Sequence, residues 1–228
     1  MIYDKLANYY DALVKDDEAT KMWVSFVEQF IPKHAKVLEL ACGSGEISYQ
    51  LVNEGYQLLA TDISSAMLEC LNDKYPNVET ALLDMNDFAM DTTYDAVICF
   101  CDSINYLEDY HNMFKSVKNV LNRQGIFIFD MHTEDRLDEF KDMFIEEGMI
   151  GDIPYQWTIA TNNREIHQHF AFYELDNILQ EQHVQYVFKL EDMLKELENL
   201  GFETKVYTDF IYPGVCPGEK LFVVGRLK

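Results

Sequence analysis

Basic residues are scarce in this chain: 18 lysines and arginines stand against 40 aspartates and glutamates, for a formal net charge of -22 over 228 residues. No stretch gathers the cations that a phosphate backbone demands, which argues against nucleic acid or an anionic membrane as a partner and leaves small molecules. Taken alone, the acidity reads as a solubility feature. Long apolar runs are missing too, since none approaches the roughly 18 residues that would cross a bilayer. The opening MIYDKLANYYDAL carries acids and tyrosines where a secretory leader needs a basic start and an apolar stretch, so the chain is expected in the cytoplasm. The cysteines, Cys42, Cys70, Cys99, Cys101 and Cys216, are five and lie mostly in or beside apolar runs. An odd set of that kind suits reduced, mostly buried thiols better than a disulfide framework. Cys99 and Cys101 have no ligand-spaced histidine nearby, and His167, His169 and His183 sit among glutamines and aromatics, so no metal is expected.

What is present is alternation. Trp23, Val24, Val27, Phe30 and Ile31 recur at helical spacing up to Pro32, which predicts an amphipathic helix. A strand is then predicted at Lys36 to Leu40, a helix at Glu46 to Glu54 closed by Gly55, and a strand at Gln57 to Thr61 ending on Asp62. Ser64 caps a helix through Met67, Leu68 and Leu71. Strands follow at Val78 to Leu83, ending on Asp84, and at Tyr94 to Cys101. A helix with Met113, Phe114, Val117, Val120 and Leu121 inward precedes a strand at Ile126 to Phe129 that ends on Asp130. Five such units with short turns predict a parallel α/β sheet covered by helices on both faces.

From Tyr155 to Phe188 the period changes to two, as in WTIAT, EIHQHFAFYEL and LQEQHVQYVF, with turn residues at Asn162-Asn163 and Asp176-Asn177. This predicts a small antiparallel sheet, placed at 150–188, inserted after the fifth strand. A helix from Leu190 to Leu200 and strands at Glu203 to Phe210 and Leu221 to Arg226 complete one domain over 1–228, with residues 1–32 as an N-terminal helical lid.

In an open α/β sheet, ligands bind beyond the carboxyl ends of the strands, where strand order reverses. VLELACGSG ends the first strand there, and Gly43 and Gly45 let a ligand approach the backbone and the helix start. Asp62 lies where an acid can accept both hydroxyls of an adenosine ribose. Asp84, or the backbone beside it, lies where the adenine amino group is reached. Glu39 would repel a pyrophosphate and attract an ammonium group, which favours S-adenosylmethionine over NAD.

VLELACGSG, Asp62 in LLATDIS, Asp84 in ALLDMND, YDAVICF and NRQGIFIFD together resemble the class I S-adenosylmethionine-dependent methyltransferases, over residues 36 to 130. YDKLANYYD and the inserted sheet look most like bacterial small-molecule members, including sugar N-methyltransferases. The resemblance implies a Rossmann-like sheet of seven strands ending in a reversed hairpin. It also implies Ala41, Cys42, Gly43 and Ser44, with Gly45 behind them, against the methionine part, and Glu39 near its amino group. Asp62 would hold the ribose, Ile63 and Met67 would flank the adenine, and Asp84 with Met85 would address its edge. Tyr10, Trp23 and Cys101 would close around the methyl donor. Ala41 departs from the pattern, standing where the family loop has its first glycine.

On the acceptor side, FCDSINYLED lacks the Asn/Asp-Pro-Pro-Tyr signature of enzymes that methylate bases and glutamine amides, so a small-molecule N or O nucleophile is expected. Asp102, Asn105 and Tyr106 are expected wall residues, Trp157 a contact from the insertion, and His132 the group that orients or deprotonates the acceptor. Transfer would be an in-line displacement in which orientation alone supplies ~7–11 kcal/mol. Two alternatives remain at this stage: a nicotinamide oxidoreductase, and a non-catalytic S-adenosylmethionine-binding protein. Trp157, Phe170, Phe172 and Tyr173 also make the insertion a candidate homodimer surface.

Overall fold

The computed structural model describes residues 6–228; the first five residues of the expected lid lie outside the described residues. Helices α1 (Ala7–Val14) and α2 (Asp17–Glu28) come first. Asp16 starts α2 because its carboxylate accepts the backbone N–H groups of Glu18 and Ala19 at 2.9 and 3.0 Å, which satisfies two donors that a helix start leaves unpaired. Then come β1 (Lys36–Leu40), α3 (Glu46–Asn53), β2 (Gln57–Asp62), α4 (Ser65–Lys74), β3 (Glu79–Leu82), β4 (Tyr94–Cys99), α5 (His111–Val120) and β5 (Leu121–His132). A 3-10 turn at Ser103–Tyr106 separates β4 from α5. A short helix α6 (Asp135–Glu139) leads to β6 (Phe144–Ile150), β7 (Ile153–Asn162), β8 (Glu165–Tyr173) and β9 (Ile178–Tyr186), and the chain ends with α7 (Leu190–Asn199), β10 (Phe202–Thr208), β11 (Tyr212–Pro213) and β12 (Lys220–Leu227). No described helix is long and apolar enough to cross a membrane.

The larger sheet runs β11-β10-β12-β5-β4-β1-β2-β3. Strands β1 to β5 are parallel, while β12 pairs antiparallel with both β5 and β10. These are the seven expected strands, with the two-residue β11 added at one edge. Alternating side chains build the two faces. Val37, Ala96, Ile98, Ile126 and Ile128 pack under α2, α3 and α4, and Leu38, Leu40, Val97, Phe127 and Phe129 pack under α5 and α7. Each fully buried Leu, Ile or Phe of this kind contributes about 1.5–3 kcal/mol.

The second sheet has order β6-β7-β8-β9 and is antiparallel throughout. It begins earlier than the expected 150–188, because FIEEGMI pairs along β7 as an edge strand. The β7–β8 turn falls on Asn163-Arg164, one residue later than expected, with Asn163 carrying the left-handed φ of 55°. This sheet is joined to α1, where Tyr9 stacks on Phe172 with ring centroids 4.3 Å apart.

Gly45 caps α3 at φ 86°, and a Cβ there would lie 2.3 Å from Cγ of the buried Leu71. Gly45→Ala therefore combines a left-handed L residue with overpacking, and is expected to cost ~2–4 kcal/mol, read as a fall of several degrees in the thermal midpoint. An unchanged midpoint would mean that α4 shifts freely against the loop.

Candidate active site

Strand order reverses between β1 and β4, so the loops after these strands part and leave a cleft. The loop after β1 turns through left-handed residues at Ala41 (φ 54°), Gly43 (φ 55°) and Gly45. Two bonds tie it to β2: Cys42 N–H donates to the Thr61 carbonyl at 2.9 Å, and Gly43 N–H donates to Asp62 Oδ2 at 2.8 Å. Asp62 Oδ1 accepts the Ser64 N–H at 2.8 Å, and the Ser64 hydroxyl caps α4 through Met67 N–H at 3.3 Å. Asp62 is 6% exposed. Burial pushes its carboxyl up even though the N–H groups of Ser64, Gly43 and Ile63 all favour the ionised form.

Glu39, on β1, is 3% exposed and accepts a 2.5 Å bond from the Ser48 hydroxyl of α3. Burial pushes this carboxyl up to about 7 against the opposing Ser48 bond, and the nearby Asp62 charge adds to the rise. These two acids share the glycine loop, and neither forms an ion pair with a cation among the described residues.

The opposite floor is compensated. Cys101 and Asp102 leave β4 with left-handed φ values of 56° and 51°, and the Asp102 N–H donates to Asp130 Oδ1 at 2.6 Å. Asp130, wholly buried on β5, also accepts the Trp23 indole N–H at 2.9 Å and lies 3.9 Å from Lys220 Nζ. Lys220 of β12 is ion-paired with Asp102. Burial alone would raise the Asp102 carboxyl, but the Lys220 ammonium, with His132 and the Gln185 amide, holds it well below the usual carboxylate range. Gln185 Nε2 donates to Asp102 Oδ2 at 2.7 Å, while its Oε1 accepts Gln168 Nε2 at 2.8 Å and lies 3.1 Å from His132 Nε2.

A cavity of about 400 Å³ spans both regions. It gathers the expected Tyr10, Trp23, Glu39, Ala41, Cys42, Gly43, Ser44, Gly45, Asp62, Ile63, Met67, Met85, Cys101, Asp102, Tyr106, His132 and Trp157 in its lining. Two expected residues stay outside. Asp84 is exposed and spends its carboxylate on the Asn86 N–H at 2.8 Å, a turn within its own loop. Asn105 is fully buried beneath the lining, where its amide joins the Tyr186 carbonyl at 2.7 Å to the His132 N–H at 3.0 Å. Sequence reasoning missed Lys220, Gln168, Gln185 and Phe170, which line the cavity from β12, β8 and β9. The period-two pattern of the insertion put the last three on strands, but gave no sign of which face would meet the cleft.

Comparison with known proteins agrees with this geometry. A methyltransferase domain family matches residues 37–125. A putative methyltransferase, YqeM, of Bacillus subtilis (strain 168) is 34% identical over 226 residues, covering 92% of this chain and 90% of the relative. The crystal structure of an S-adenosylmethionine-dependent methyltransferase from Clostridium acetobutylicum ATCC 824 superposes with a TM-score of 0.83 at 23% identity, over 99% of this chain and 98% of that one. The sugar N-methyltransferase KedS8 from Streptoalloteichus sp ATCC 53650 gives 0.78 at 21% identity, over 100% and 93%. The open α/β sheet with its glycine loop at the reversal point is thus that of an enzyme. The chain belongs to the methyltransferases, and its fold is that of the S-adenosylmethionine-dependent methyltransferase of known structure.

Glu39 carries a stability consequence. Its folded pKa lies above the ordinary 4.5, so the folded state holds the proton more tightly and stability falls as pH rises from about 4.5 through about 7. Glu39→Gln removes this loss. The ligand-free variant is expected to gain about 3 kcal/mol over the parent at pH 8 and nothing near pH 4.5, measured by denaturant titration at each pH. A pH-independent difference would contradict the assignment.

Proposed function

We propose that this enzyme moves a methyl group from S-adenosylmethionine to a nitrogen or oxygen nucleophile on a small molecule bound between the Asp102–His132 floor and the inserted sheet. The observation that carries the donor side is the pair of buried acids, Glu39 and Asp62, beside a glycine loop that is open above Gly43. A Cβ on Gly43 would meet only Tyr10 Cε1, at 4.0 Å, so the backbone can be approached closely there. A cationic, hydroxyl-bearing ligand compensates such acids, whereas a pyrophosphate would add charge to them.

Glu39 receives the donor's amino group, and Ala41, Cys42, Gly43 and Ser44, with Gly45 behind them, bound its methionine part. Asp62 takes the ribose; both its oxygens already accept backbone N–H groups, but an ionised carboxylate keeps further lone pairs. Ile63, Met67 and Met85 enclose the adenine, while Tyr10, Trp23 and Cys101 cover the donor. When bound, S-adenosylmethionine supplies an electrophilic methyl whose S–C bond pair leaves with sulfur. The protein's own task is to orient the nucleophile, exclude water and hold a proton.

His132 is suited to that last task. Gln185 Oε1 can only accept, so His132 Nε2 donates to it, which in the neutral ring leaves Nδ1 as the acceptor. That Nδ1 is buried and has no hydrogen-bond partner among the described residues. Trp157 roofs this end, its indole N–H bonded to Gln168 at 3.1 Å. The cavity volume suits small ligands, and the net charge of -22 opposes polyanions.

Cofactor-stripped protein at about a hundredfold Kd of S-adenosylhomocysteine is expected to gain ~2.7 kcal/mol, a thermal shift of ~5–10 °C, lost in Asp62→Ala and absent with NAD. A shift with NAD alone would sink the donor assignment. With labelled S-adenosylmethionine and a panel of small amines and hydroxy acids, His132→Gln should lower kcat by ~10²–10⁴ while leaving product-ligand binding intact. Undiminished turnover would remove His132 from the chemistry.

A further inference from the structure

Three polar side chains of the inserted sheet form a hydrogen-bonded row that ends at His132. Trp157 belongs to β7, Gln168 to β8 and Gln185 to β9. Ile159 is paired with Gln168 and Ile166 with Gln185, so the three residues share one face as diagonal neighbours, which long side chains can bridge. Trp157 Nε1 donates to Gln168 Oε1 at 3.1 Å, Gln168 Nε2 donates to Gln185 Oε1 at 2.8 Å, and Gln185 Nε2 donates to Asp102 Oδ2 at 2.7 Å. His132 Nε2 meets the row at Gln185 Oε1, 3.1 Å away, and lies 3.4 Å from Asp102 Oδ2.

The direction of the row is fixed at both ends. An indole N–H can only donate, so Gln168 turns its oxygen to Trp157 and its nitrogen to Gln185. That nitrogen needs an acceptor, so Gln185 offers its oxygen there and sets its own nitrogen against Asp102. From the other end, an ionised carboxylate can only accept, and Lys220 is paired with its second oxygen, so Asp102 demands the same order. Reversing either amide would set donor against donor or acceptor against acceptor. Packing does not require these groups. The same face carries Ile159 and Ile166, which form a buried apolar cluster with Phe140 and Val187, and Gln185 is only 1% exposed. Apolar residues of matching shape at both glutamine positions would be nearly neutral or stabilising. What the amides add is polarity.

We propose that Gln185 and Gln168 are positioning residues for His132, and that the inserted sheet thereby fixes which ring nitrogen is open to the acceptor's proton. The inference rests on the reading of His132 given above. A carbonyl oxygen presented to Nε2 keeps the ring proton there, and Nδ1 of the neutral ring faces the other way. Gln185 also stands between the imidazole and Asp102, since the shortest bond to Asp102 Oδ2 is the amide's own. Gln168 holds the Gln185 oxygen in place, and Trp157 orients Gln168. The insert is in this sense half of the acceptor machinery and not only its roof.

The test uses the full chain with S-adenosylhomocysteine bound and histidine ring nitrogens labelled for NMR. His132 is expected with its proton on Nε2, and its Nε2 signal should move in Gln168→Met, although Gln168 is bonded to neither His132 nor Asp102. A proton on Nδ1 instead would require the row to run backwards, which overturns the proposal whatever the activity. In the labelled-methyl assay, Gln185→Met should lower kcat by ~10–100-fold and Gln168→Met by less, with KM and the product-ligand Kd unchanged in both. Trp157→Phe, which keeps an aromatic ring and loses the N–H, should lower kcat least. Where Gln185→Met does not fold, Gln168→Met carries the kinetic test. Full kcat in a folded glutamine variant, or losses that follow the thermal midpoint and not the order of the row, overturns the proposal. If the parent protein binds the product ligand but methylates none of the panel, the acceptor reading fails and the Gln168→Met spectrum decides the row by itself: a moved Nε2 signal supports it and an unmoved one overturns it.

Discussion

A carboxylate without access to solvent holds the cavity floor together. Asp130 accepts the Trp23 indole and the Asp102 backbone N–H, and it lies beside the Lys220 ammonium. A buried charge is tolerated only where its partners are all in place, and losing one partner typically costs several kcal/mol. The end of β5 is thereby tied to α2, to the turn after β4 and to β12. The same carboxylate fixes the left-handed backbone of Asp102. From there Asp102 reaches Lys220 and Gln185, so the inserted sheet is registered against the larger one by a chain of bonds that starts at Asp130.

The two ends of the cavity follow opposite electrostatic rules. At the floor, Asp102 and Asp130 share a lysine, which holds the Asp102 carboxyl well below the usual carboxylate range. At the glycine loop, Glu39 and Asp62 have only hydroxyl and amide donors, and burial pushes both of them up. The first arrangement is complete without a ligand. The second has no cationic side chain paired with its acids among the described residues.

Most of this architecture can be read from the sequence where the signal is local. The strand ends at Leu40 and Asp62 and the alternation of the insertion stand within a few residues of their observed places. Strand β6 escaped because the inward positions of FIEEGMI, Glu146, Gly148 and Ile150, are only half-buried and mostly not apolar, so its burial leaves no apolar alternation in the sequence. Asp84 and Asn105 lie outside the cavity lining because the same residue types also serve turns and internal backbone groups, and only the fold decides between those uses. Lys220 meets Asp102 across 118 positions, and His183 meets Tyr106 across 77. Separations of that size leave no trace in spacing or periodicity. The histidine thus looked like one of several on a polar sheet face.

The link between α1 and the inserted sheet bears on how such a molecule can be rebuilt. Tyr9 stacks on Phe172 and hydrogen-bonds Glu174, and the Leu6 N–H is held by Glu181, while the Asp11 carboxylate of α1 accepts from Ser44 and Lys74 on the other side. The roof over the cavity is therefore made from two stretches that lie more than a hundred positions apart but are matched to each other. A chimera that imports only Phe144–Tyr186 from a relative would bring a foreign underside to its own first helix. The transferable unit is the pair, 6–14 together with the four-stranded insert, and recombination between relatives should respect that discontinuous boundary.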